Sequence, residues 1–129
     1  MKALLINPES SEPKVVDITN WKQILMHLDC KSYSLCTRQI GSDPDRIYDI
    51  YIDDMGLFKK HPKVSAWGGH DHSTLVGTIL VSLTDSHGDM KSLTQNDIDY
   101  ILSNFYYIVD YDHMITVHAL FPVYYPTYN

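Results

Sequence analysis

The spacing of apolar positions changes several times along the chain, and each change marks an element. Lys2 to Ile6 is a short apolar run closed by Asn7-Pro8, the pattern of a buried strand that ends in a turn. Lys14 to Ile18 is β-branched and short, and predicts a second strand that can pair with the first as a hairpin. Trp21, Ile24, Leu25 and Leu28 then follow helical spacing, which places all four on one face. Thr19 or Asn20 supplies the N-cap, and the helix is expected to stop near Asp29-Cys30.

Alternation returns in Ser32 to Ile40, with Tyr33, Leu35 and Thr37 on one side and Ser34, Cys36 and Arg38 on the other. The turn at 41–45 leads into a strand over Ile47 to Ile52, and Asp53-Asp54-Met55-Gly56 turns again. Strands are expected over 63–67 and 74–83, around the loop Gly68-Gly69-His70-Asp71-His72. The second is almost continuously apolar, as a central strand is, and Gly77 within it predicts a close backbone approach. Thr94 and Asp97 have capping-box spacing. Ile98, Ile101, Leu102 and Phe105 make the stripe of a second helix near 94–107. Met114 to Leu120 reads as a last strand, before a tail over 121–129 that Pro122 and Pro126 break. The sum is a single α+β domain: an antiparallel-rich sheet with two helices packed on one face.

Composition narrows the function. The chain has 129 residues, enough for one domain, and a net charge of -6 from 16 acids against 10 bases. A basic footprint for nucleic acid is missing, and an anionic membrane surface is a poor partner for an acidic chain. No apolar run approaches the ~20 residues that span a bilayer. Pro8 and Glu9 interrupt the start as a secretory segment. The expectation is therefore a cytoplasmic protein with Cys30 and Cys36 reduced.

MKALLINPES at the start, the helix ending at Asp29-Cys30, IYIDDMGLFKKHP at 50–62, LVGTILV at 75–81 and GD-x-x-SLT-x-x-DI at 88–98 resemble a family of short proteins of unknown function from phages and mobile elements of Gram-positive bacteria. The resemblance covers most of the first hundred residues. It implies no catalytic motif. Its anchors are fold-determining, and the Tyr-rich C-terminus departs from its pattern. Some small acidic mobile-element proteins of this size are anti-defence proteins, anti-CRISPRs among them.

Three groups of residues are candidates for chemistry. His70 and His72 point the same way in an extended segment and predict a structural zinc site, completed by His87, Asp85, Asp89, His61 or a cysteine. Asp53 and Asp54 belong to a series of acidic knots suited to a positively charged partner surface. Tyr124, Tyr125 and Tyr128 in the tail suit an interface, since tyrosine offers rigid area and one polar handle. The sequence holds no Gly-x-Ser-x-Gly elbow, phosphate loop or His-Glu-x-x-His helix. The expectation is a non-enzymatic inhibitor that binds a host defence protein without contacting nucleic acid directly. The leading target is an RNA-guided nuclease of a type II CRISPR system, whose channel is positively charged. A metal-dependent hydrolase and a protein that sequesters a nucleotide signal are the alternatives.

Overall fold

The computed structural model describes residues 1–7, 12–54, 64–66, 75–110 and 115–120. In chain order the elements are β1 (Lys2–Ile6), β2 (Lys14–Asp17), α1 (Trp21–Leu28), β3 (Tyr33–Gln39), β4 (Ile47–Asp53), β5 (Val64–Ala66), β6 (Leu75–Val76), β7 (Ile79–Thr84), β8 (Met90–Lys91), α2 (Gln95–Ser103), β9 (Phe105–Asp110) and β10 (Ile115–Leu120). A six-stranded sheet runs β2-β1-β7-β4-β3, with β8 paired to the far end of β7. Every pairing in it is antiparallel. A four-stranded sheet runs β6-β5-β10-β9, in which β5 and β10 are parallel. The α+β class and the β1–β2 hairpin are as the sequence predicts. No helix among the described residues is long and apolar enough to cross a membrane.

The two helices do not share a face, which corrects the expected layering. Leu4 and Ile50 pair with Val81, and Ile6 and Ile52 with Ile79, so these side chains point to one side. Ile98 and Ile101 of α2 pack there, with Leu75 of β6 and Leu93. Leu5 and Tyr51 pair with Leu80 on the other side, where Ile24 and Leu28 of α1 pack with Ala3 and Ile18. The cause lies in β7. Ile79, Leu80, Val81 and Ser82 are all buried in sequence, and alternate side chains leave a strand on opposite faces. A strand apolar on both faces needs cover on both.

The expected strand 74–83 is divided at Gly77. β6 belongs to one sheet and β7 to the other, and Gly77 between them has φ +78°. A Cβ there would meet nothing within 4 Å. Left-handed backbone, rather than close approach, is the demand that glycine meets. Helix α2 also stops short of the expected 107. Asn104 is its C-cap, and Phe105 begins β9. Phe, Tyr, Tyr, Ile and Val in succession favour a strand over the last helical turn, and Phe105 reaches the core from there.

One buried side chain works against this core. Arg38 is 4% exposed, and its Nε and Nη1 find no hydrogen-bond partner among the described residues. A buried cation with unmet donors costs folding free energy. Arg38→Met keeps an unbranched apolar stem, though a shorter one, and removes the charge. It is expected to raise the unfolding free energy by about 1–2 kcal/mol in urea melts. A less stable variant would show that the guanidinium has a stabilising partner.

A candidate binding cleft beside the first helix

The two buried carboxylates among the described residues, Asp97 and Asp49, are engaged in holding the fold together. Asp97 sits at the third position of α2, where its carboxylate accepts from Thr94 N at 2.9 Å and Thr94 Oγ1 at 2.8 Å. Its other oxygen accepts from the Tyr48 hydroxyl at 2.8 Å and Arg46 Nη1 at 3.0 Å. Burial disfavours the charge of Asp97, but these donors outweigh it and hold the carboxyl below its ordinary range. Burial, and then the bond to Asp97, push the Tyr48 hydroxyl up to about 12. Asp49, on the opposite face, accepts from Thr37 Oγ1 at 2.8 Å and from Thr84 Oγ1. Burial pushes the Cys36 thiol up, although Arg38 opposes the shift. A thiol held protonated is a poor nucleophile.

A cleft of about 610 Å³ is different in character. It lies between the start of α1 and the β7–β8 turn, and Trp21, Tyr33, Tyr51, Asp85, Asp89 and Met90 are among its lining. Local sequence builds each wall. Asn20 has extended backbone and caps α1, its Oδ1 accepting from Lys22 N at 3.0 Å and Gln23 N at 3.3 Å. This starts the helix at Trp21, beside the cleft. Tyr33 of β3 and Tyr51 of β4 meet edge to face, with centroids 5.2 Å apart. Burial raises the Tyr51 hydroxyl above its usual range. The opposite wall is a tight turn. Asp85 Oδ1 accepts from His87 N at 2.8 Å and Asp89 N at 3.1 Å, and Gly88 takes φ +85°.

Trp21 is the least expected member. It shares the helical stripe of Ile24 and Leu28, yet it is 58% exposed while those two are buried. A short helix crossing a sheet buries the middle and end of its stripe and lets the first residue overhang. Lys22 Nζ lies over the indole, 5.9 Å from the ring centroid, within the range of a cation–π contact. Asp89 is exposed, and its side chain is not among the bonds that hold the turn. The sequence places Trp21 on the apolar stripe of α1 and Asp89 among the alternative zinc donors. A tryptophan at the first helical position, rather than mid-stripe, was the available signal.

Of the sequence candidates, Asp53, Asp54 and His87 fall on described residues. Asp53 closes β4 and is register partner of Tyr33, so it lies on the same sheet face as the two cleft tyrosines. Asp54 is exposed and accepts from Ser32 Oγ at 2.9 Å and from Ser34 Oγ. His87 is exposed in the β7–β8 turn with Asp85 and Asp89. His61, His70, His72, Tyr124, Tyr125 and Tyr128 lie outside the described residues. Among the described residues no three of His, Cys, Asp and Glu gather as a metal site.

No curated protein matches the chain, and no solved structure does. A family model does, described as a domain of unknown function (DUF3846), and it extends over residues 1–106. That span holds both helices, every strand of the six-stranded sheet and the whole lining of the cleft. The chain therefore belongs to the DUF3846 family, a family of unknown function.

Proposed function

We propose that the chain is a non-enzymatic protein-binding inhibitor, carried by a phage or mobile element and acting in the host cytoplasm on a defence protein. The RNA-guided nuclease of a type II CRISPR system is the leading target. The observation that carries this reading is the cleft, where Trp21 presents exposed ring area and the Asp89 carboxylate makes no bond among the described residues. Exposed tryptophan is typical of interface hot spots. The net charge of -6 adds a long-range attraction to a nuclease whose nucleic-acid channel is positively charged.

The test mixes the purified chain with a purified type II nuclease–guide complex, followed by size-exclusion chromatography and a DNA-cleavage assay. The expected result is co-elution and loss of cleavage near stoichiometric ratio. Trp21→Ala should weaken the complex by about tenfold or more, as hot-spot truncation does. Unimpaired cleavage with no complex overturns the nuclease as target. A nucleotide retained through purification, or turnover of a substrate, overturns the protein-binding reading altogether.

A further inference from the structure

We infer that the cleft beside α1 is a receptor for an arginine side chain presented by the protein partner. The inference rests on the protein-binding reading and adds the chemistry that the partner must bring. A flat cation is the complement of what lines the site. Trp21, Tyr33 and Tyr51 bring three aromatic rings to one cavity. An aromatic face attracts a cation through its quadrupole, and guanidinium stacks on it better than ammonium does.

The charge of the cleft has the matching sign. Asp85 and Asp89 both line it. The Asp85 carboxylate organises the turn, accepting from two backbone N–H groups through Oδ1. Asp89 joins that turn through its backbone: its N–H donates to Asp85, and its carbonyl accepts from Asp85 N at 2.8 Å. Among the described residues nothing bonds the Asp89 side chain, which is thus left for a ligand, on a turn that positions it. Among the described residues the one amine in the lining is the Met1 amino group, and it is already taken by Asp17 Oδ1 at 2.8 Å and the Ile18 carbonyl at 2.9 Å. It therefore repels an incoming cation less than a free amine would. That Trp21 accepts cations is visible in the chain itself, where Lys22 Nζ stands over its ring.

Aromatic area alone would accept any apolar side chain. A carboxylate alone would accept lysine as readily as arginine. The two together favour a planar cation that can stack and hydrogen-bond at once, which is the distinction between guanidinium and ammonium.

The test is a titration of the full chain by NMR, reading the Trp21 indole N–H, assigned with Trp21→Phe. The probes are blocked peptides Gly-Arg-Gly, its lysine analogue, and its citrulline analogue, which keeps the shape and loses the charge. The expected result is a saturable shift with the arginine peptide and binding about tenfold weaker with citrulline, as when a charge-assisted contact is lost. The lysine analogue should fall between them. Asp89→Asn should weaken arginine binding by a similar factor and leave the amide spectrum otherwise intact, since the turn uses the backbone of that residue. Equal binding of arginine and citrulline, or an unaffected Asp89→Asn variant, overturns the inference. Failure of the inference is separable from failure of the function. A nuclease complex that forms equally with wild type and Asp89→Asn removes the arginine site and keeps the inhibitor. Arginine binding without any nuclease complex removes the proposed target and keeps the site.

Discussion

Asp97→Ala is expected to lower the unfolding free energy by about 2–4 kcal/mol, from a lost helix cap of about 1 and a buried Tyr48 hydroxyl left unpaired at about 1–3. The carboxylate serves two structures at once. It closes the capping box of α2 through both donors of Thr94, and it ties the helix to β4 through Tyr48 and to the β3–β4 loop through Arg46. Without it the Tyr48 hydroxyl, on a residue 1% exposed, has lost its acceptor. A capping change alone costs about 1 kcal/mol, so a loss that small in urea melts would mean that the network relaxes onto water. Tyr48→Phe removes donor and desolvation together and should cost about 1 kcal/mol.

The same network sets the pH dependence. The carboxyl of Asp97 lies below its ordinary value when folded. Its contribution is fully present above the unfolded value of about 3.9 and is lost as pH falls through the folded one. Tyr48 is raised to about 12. Its contribution is complete below the unfolded value of about 10 and is lost as pH rises through the folded one. Asp97→Asn should flatten the acid limb of the stability curve and move the Tyr48 titration toward about 10.

Gly41→Ala is expected to cost about 2–5 kcal/mol, from left-handed strain of about 1–2 and overpacking of about 1–3. Gly41 has φ +68°, and a Cβ there would stand 2.6 Å from Tyr100 Oη and 2.7 Å from Asn104 Oδ1. Tyr100 cannot give way without loss. Its hydroxyl donates to the Ile40 carbonyl at 2.6 Å and accepts from Asp43 N at 3.3 Å, and the Arg46 guanidinium stacks 5.0 Å from its ring centroid. Gly77→Ala isolates the strain, because its φ is +78° with open space around the new Cβ; it should cost about 1–2 kcal/mol. Equal melting curves for the two variants would show that the β3–β4 loop moves off α2 freely.

Local chemistry was legible where one segment contains both partners. Asn20 and Thr94 cap their helices from within four residues. The β-branched and alternating runs pair as hairpins, and the apolar run around Leu80 lies at the sheet centre between β1 and β4. The α+β class follows from these elements alone. Which layer each helix joins did not, because periodicity assigns a helix an apolar face without saying which side of a sheet receives it. The two-sided burial of β7 settles that. Asp97 illustrates the same limit. Its cap partner is three residues away and readable, whereas Tyr48 and Arg46 lie 49 and 51 residues away. The cleft is the extreme case. Its walls come from α1, β3, β4 and the β7–β8 turn, and no one-dimensional pattern predicts that Trp21 overhangs while Ile24 and Leu28 bury. Short-range hydrogen bonding and hydrophobic period are properties of a segment, whereas a binding surface is a property of segments brought together by packing.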